Sequence, residues 1–225
     1  MTRRPSHIPG QRLVGAAETF EAAPGAPTVG VLALQGDVLE HLRALHRVGA
    51  RPVRVRAAAD LDGLDGLVIP GGESTTIGKL LVRLDMLAAV RERIVGGLPV
   101  FGTCAGMILL SRELDQDVEQ PLLGVLGVRT RRNAFGRQVD SFDVRVEVDG
   151  IDGGPLDVSF IRAPWVTDVL DDDVVVLASI DGHPVVVRQG HVLAAAFHPE
   201  VAGDDRMHAA FVASLDGNSG SGVST

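Results

Sequence analysis

Between Thr28 and Ser111 short β-branched runs alternate with helix-patterned segments, and few folds accommodate that alternation. TVGVLAL, from Thr28, reads as a buried strand. Asp37 then stands where an N-cap belongs. The helix it would open carries Val38, Leu42, Leu45 and Val48 on one face and closes at Gly49. RPVRVR and GLVIP read as two further strands, the latter ending in the loop PGGESTT. A long helix is expected from about Ile77 to Val95, then a strand, LPVFGT, that runs straight into the helical pattern CAGMILLSREL. Strands joined through helices make a parallel sheet with helices on both faces, and such sheets bind ligands at the carboxyl ends of their strands.

The second half changes texture. VLGVRTRR, SFDVRVEVDG, VSFIRAP, VVVLASI, PVVVRQG and VLAAAFHP are strand-like with little helix between them, so strands, some antiparallel, are expected to extend the sheet. In SFDVRVEVD, Phe142, Val144, Val146 and Val148 alternate with Asp143, Arg145 and Glu147. A last helix is expected over Asp204–Leu215. Residues 1–27 and 216–225 have the composition of a disordered extension and a flexible tail, which leaves one domain over 28–215. Tyr is absent and aromatics are 4% of the chain, so the core must come from Val, Leu, Ile and Ala.

A net charge of -8 argues against nucleic acid and against an anionic membrane, both of which need a basic surface. Arg129, Arg131 and Arg132 could still hold one small anion. The single cysteine excludes an internal disulfide and a cysteine-based zinc cluster. A lone thiol suits a reducing compartment, so the cytoplasm is the expected location.

That cysteine sits in Phe101-Gly102-Thr103-Cys104-Ala105-Gly106-Met107, where a strand ends, small residues turn the chain and a helix begins. This is the thiol form of a nucleophile elbow: small neighbours permit the sharp turn, and the helix N-terminus favours thiolate. The backbone N–H of Ala105 falls where an oxyanion donor is needed. The competing reading, a buried inert cysteine, needs no base at all. A base is on offer in Ala196-Phe197-His198-Pro199-Glu200, where a strand delivers His198 and a carboxylate two residues on reaches the same side. Among the other histidines, His41, His46 and His208 lie on helical patterns, His7 lies in the N-terminal extension, and His183 and His191 lie at turns or strand edges; most of these read as plain surface groups.

PGGESTTIGK does not have phosphate-loop spacing, because Gly72 to Gly78 encloses one residue too many and Leu80 follows Lys79. Two readings remain open together. The loop's backbone N–H groups can act as oxyanion donors or substrate clamps, with Ser74 binding an amide or carboxylate. It can also be a tight turn before a helix capped by Ser74, Thr75 or Thr76.

Taken in order, GVLALQGDVLEH, LVIPGGESTTIGKL, VFGTCAGMILLS, RRNAFGRQVDSF, FIRAP and AFHPE cover nearly all of residues 28–215. They resemble the class I glutamine amidotransferase family, and within it the glutaminase subunits of pyridoxal phosphate synthases. The resemblance implies a three-layer α/β sandwich with a mainly parallel central sheet extended by antiparallel strands. It implies a triad of Cys104, His198 and Glu200 that hydrolyses L-glutamine to glutamate and ammonia. Gly72, Glu73 and Ser74 would hold glutamine with Arg132 and the Ile161–Arg162 pair, and Gly72 and Ala105 would offer backbone donors to the oxyanion. The implied partner is a synthase of dodecameric (β/α)-barrel form, which takes the ammonia and builds pyridoxal 5'-phosphate from ribose 5-phosphate and glyceraldehyde 3-phosphate. No metal or cofactor is expected on this chain. The alternatives are an amidotransferase serving another synthase and a non-catalytic regulatory subunit.

Overall fold

A computed structural model describes residues 18–116, 119–132, 134 and 141–216. The first half runs β1 (Thr28–Leu32), α1 (Val38–Arg47), β2 (Arg51–Val55), β3 (Gly66–Ile69), α2 (Ser74–Arg83), α3 (Leu87–Val95), β4 (Val100–Thr103), α4 (Ala105–Leu110) and β5 (Ser111–Leu114). The second half runs β6 (Leu126–Arg131), β7 (Ser141–Val146), β8 (Leu156–Ile161), β9 (Trp165–Val169), β10 (Val174–Ile180), β11 (His183–Gln189), β12 (Val192–Ala195), α5 (Pro199–Ala202) and α6 (Arg206–Asp216).

Seven strands form the main sheet in the order β10-β11-β12-β4-β3-β1-β2. From β12 to β2 every pairing is parallel, whereas β11 pairs antiparallel with both β12 and β10. The alternation along β4 separates the two faces. The Phe101 ring meets His208 and Phe211 of α6, at ring-centroid distances of 5.6 and 5.8 Å. A side chain at Gly102 would instead run into Gly106 and Leu110 of α4. α1 lies beside α6 on the first face; α2 packs against α3 and α4 on the second. The result is three layers around a core of Val, Leu, Ile and Ala, to which Phe101, Phe160, Phe197 and Phe211 add the aromatic bulk. At Gly106 a β-carbon would overlap the carbonyl oxygen of Ile69, so the glycine lets the start of α4 lie directly on β3. No helix among the described residues is long and apolar enough to cross a membrane.

Three expectations are corrected. The helix expected over Ile77–Val95 is two helices, α2 and α3. Asp85, at φ 55°, takes the left-handed region between them, and α2 begins earlier, at Ser74. The helical pattern after Cys104 stops at Leu110, and Ser111–Leu114 pairs with β6 instead. Tertiary contacts decide that switch: Arg112 pairs with Asp171 and Glu113 with Arg129, which a continued helix would forgo. The strands of the second half do not all join the main sheet. β5, β6 and β9 form one small sheet and β7 with β8 another, so only β10, β11 and β12 extend the large one. The alternation in SFDVRVEVD holds where it is described: Val144 is half-buried, Val146 and Val148 are buried, and Asp143, Arg145 and Glu147 are exposed.

The expected N-terminal extension lies outside the described residues as far as residue 17, and the expected tail does so from residue 217. Residues 18–27 have irregular backbone but are docked on the domain. Glu18 pairs with Arg43 at 2.8 Å, and the Phe20 ring lies 5.5 Å from that of His46.

Candidate active site

β12 lies parallel beside β4, with Ala195 opposite Thr103, and the Cys104 N–H donates to the Ala195 carbonyl at 2.8 Å. The chain leaving β12 therefore delivers His198 beside the cysteine turn. A second contact fixes the delivery: the His198 N–H donates to the Ser159 carbonyl of β8 at 3.0 Å. Cys104 itself has φ 47°, a left-handed value that a non-glycine residue holds only under strain. The turn expected from its small neighbours is present.

His198 Nδ1 donates to Glu200 Oε1 at 2.9 Å, with Asp37 Oδ2 at 3.3 Å from the same nitrogen. The imidazole also interacts with Cys104. Burial works against a charge on His198, but hydrogen bonds to Asp37, Cys104 and Glu200 outweigh it and push the imidazole up to about 12. Burial raises the Glu200 carboxyl, against the pull of His198. Cys104, His198 and Glu200 are all buried, and the ring of His198 lies against the backbone of Gly71. Asp37, expected only as a helix cap, makes no capping hydrogen bond and faces His198 instead. Asp37, His198 and Glu200 place ligand-type atoms within 4.8 Å of one another, with both carboxylates facing the same imidazole nitrogen.

The glycine-rich loop supplies the other wall. Glu73, not Ser74, Thr75 or Thr76, caps α2: its carboxylate accepts from the N–H groups of Thr75 and Thr76 at 3.2 and 2.6 Å. Arg132 Nη2 donates to the same carboxylate at 2.9 Å, and Arg132 Nη1 to Thr75 Oγ1 at 3.0 Å. Ser74 Oγ donates to Gln120 Oε1 at 3.1 Å, and Gln35 Oε1 accepts from the Glu73 N–H at 2.8 Å. Glu73, Ser74 and Arg132 thus form one polar cluster at the start of α2. Gly72, at φ 143°, leads into it from the loop after β3, and Ala105 opens α4 immediately after the cysteine. Arg162 is exposed just past β8, at φ 44°, two residues beyond Phe160; the side chain of Ile161, like most of RNAFGRQVD, lies outside what is described.

Sequence reasoning missed a second group. His41 and His208, read as surface histidines, are completely buried. His41 Nδ1 lies 2.9 Å from His208 Nε2, and His41 Nε2 lies 3.0 Å from Thr103 Oγ1 and 3.4 Å from Glu200 Oε1. The signal was present in the helix period: His41 falls next to Leu42 and Leu45 on the apolar stripe of α1.

Burial lowers the His208 imidazole to about 4 and pushes that of His41 well below the usual histidine range. The unfolded chain binds a proton on His208 near pH 6.5 and the folded chain refuses it until about pH 4, so stability falls as pH drops through that window. One such proton is worth about 1.4 kcal/mol per pH unit. Replacing His208 with Phe should flatten the loss of stability between pH 6 and 4.5 by that slope, read from denaturant midpoints against pH. An unchanged slope would mean that His208 is charged in the fold.

Residues 31–216 match the model of the SNO glutamine amidotransferase family. The pyridoxal 5'-phosphate synthase subunit PdxT of Frankia alni is 58% identical over 197 residues, covering 87% of this chain and 98% of that protein. A crystal structure of a glutamine amidotransferase superposes with a TM-score of 0.78 at 50% identity, covering 84% of this chain and 98% of that one. The structure of PurLQS from Thermotoga maritima, at 19% identity and a TM-score of 0.58, shares the fold, covering 86% of this chain and 99% of that one.

Proposed function

The chain belongs to the SNO glutamine amidotransferase family, and on that footing we propose that it is the glutaminase subunit of a pyridoxal 5'-phosphate synthase, working through Cys104, His198 and Glu200. The observation that carries this reading is the position of His198, which engages Cys104 and Glu200 where two adjacent parallel strands end.

In the proposed reaction the sulfur of Cys104 attacks the side-chain carbonyl carbon of glutamine. The oxyanion is met by backbone N–H groups of Ala105 and Gly72. His198, held protonated by its carboxylate neighbours, passes its proton to the departing nitrogen, so the C–N bond breaks and a thioester remains. The neutral imidazole then takes a proton from water, which attacks the thioester and releases glutamate. Glu200 and Asp37 keep the ring in the tautomer that both steps require.

Glu73, Ser74, Arg132, Ile161 and Arg162 are assigned to glutamine. The guanidinium of Arg132 suits the α-carboxylate, which it can take in two parallel hydrogen bonds, and Glu73 beside it suits the α-ammonium. We place the activity in residues 28–215 and the protein in the cytoplasm, where its thiol nucleophile stays reduced.

Ammonia released into water is lost, which supports a partner that captures it. The proposed partner is the synthase of dodecameric barrel form, which makes pyridoxal 5'-phosphate from ribose 5-phosphate and glyceraldehyde 3-phosphate. Ammonia release from glutamine should be slow for this chain alone and rise at least about tenfold when the synthase is added. Equal rates with and without it would point to an amidotransferase that serves another synthase. No release under either condition would leave a regulatory subunit.

A further inference from the structure

We propose that His41 is a positioning residue of the cysteine site: its Nε2–H lies between Glu200 and Thr103 and holds the triad carboxylate in register with the strand that carries the nucleophile. The inference rests on the triad reading above and adds a residue to it.

Two tautomers of the buried pair can be written, and the surroundings separate them. If His41 carried its proton on Nδ1, its bare Nε2 would face the Glu200 carboxylate at 3.4 Å, lone pair against lone pair. His208 would then have to accept on Nε2 and carry its own proton on Nδ1, a buried donor with no hydrogen-bond acceptor among the described residues. In the other arrangement His208 Nε2–H donates to His41 Nδ1, and His41 Nε2–H is shared by Thr103 Oγ1 and Glu200 Oε1. Only a lone pair on His208 Nδ1 is then left unmet, and an unmet buried acceptor is the commoner compromise. His41 and the two side chains around its Nε2, Thr103 and Glu200, are shielded from water, so the choice of tautomer is not averaged away by solvent.

The connectivity gives this hydrogen bond its leverage. Thr103 immediately precedes Cys104 at the end of β4, and Glu200 sits in α5, beyond the end of β12. Among the described residues Glu200 Oε2 has no hydrogen-bond partner, and Oε1 is the oxygen shared by His198 and His41. Asp37 and His41, four residues apart, approach the site from the same side of α1. His41 touches no reacting atom.

The test uses the synthase complex and follows ammonia release from glutamine in three variants. His41→Gln can keep a donor where Nε2 stood, His41→Asn keeps a polar group only toward His208, and His41→Leu removes both. His41→Asn and His41→Leu should each lower kcat about tenfold with KM within about twofold, and His41→Gln should recover most of the loss. If the three variants share one kcat, or rank by thermal stability alone, the proposal fails. Should the Asn and Leu variants not fold, nitrogen NMR of the histidines in the unsubstituted chain decides. His41 and His208 must both be neutral with the proton on Nε2, and the opposite tautomer of His41 overturns the assignment. Cys104→Ala keeps the two readings apart: turnover that survives it ends the cysteine reading, whereas an inert Cys104→Ala beside a fully active His41→Asn ends only the role of His41.

Discussion

Cys104→Ala should reduce glutamine hydrolysis by roughly 10⁴-fold or more in the presence of the synthase, leaving circular dichroism and the unfolding midpoint close to those of the parent chain. The reasoning is chemical before it is structural. The proposed route splits amide hydrolysis into thioester formation and thioester hydrolysis, and alanine offers nothing to form the first bond. Donors to the oxyanion and the glutamine contacts would remain, so binding should persist while turnover vanishes. The substitution removes one sulfur from a small buried space and takes no partner from the backbone, so large unfolding is not expected. Turnover within about a hundredfold of the parent would remove Cys104 from the chemistry.

The second large effect comes from a residue with no functional group. A β-carbon on Gly71 would overlap Cε1 of His198 and come within 2.8 Å of its Nδ1 and 3.1 Å of Asp37 Oδ2. Gly71→Ala therefore pushes the imidazole away from the group that orients it. A displacement of about 1 Å in such a constellation costs on the order of 10²-fold in rate. We expect kcat to fall by that order, with a stability loss of about 1–3 kcal/mol from local overpacking. An electrophile resembling glutamine should label Cys104 more slowly in step with kcat. A Gly71→Ala chain with parental kcat would show that the ring has room to move, which the packing around Gly71 denies.

The parallel half of the fold was legible because β1, β3 and β4 are buried on both faces and so read as nearly uninterrupted apolar runs. The cysteine turn was legible for a different reason: Gly102 and Gly106 exist to let chain pass close to chain, and that need marks the local sequence. The end of α4 was not legible. AGMILLSREL keeps a helical period, and the switch at Ser111 is decided by Asp171 and Arg129, residues far along the chain. The same limit explains the two small sheets, since alternation shows that a segment has two faces but not which strand it pairs with. His41 and His208 were misjudged because composition sends a histidine to the surface by default, and only the spatial meeting of α1 with α6 shows that the two satisfy each other. Asp37 was placed correctly at the start of α1 and given the wrong partner, because a cap and an active-site carboxylate occupy the same position in a sequence.

The backbone at Cys104 carries a final implication. A side chain held in the left-handed region costs about 1–2 kcal/mol that glycine would not incur. Glycine at that position would therefore relieve the strain, whereas alanine, which keeps a β-carbon, would not. The turn that presents the sulfur and the relief of its strain are thus opposed at one residue, where robustness is gained only by losing the chemistry.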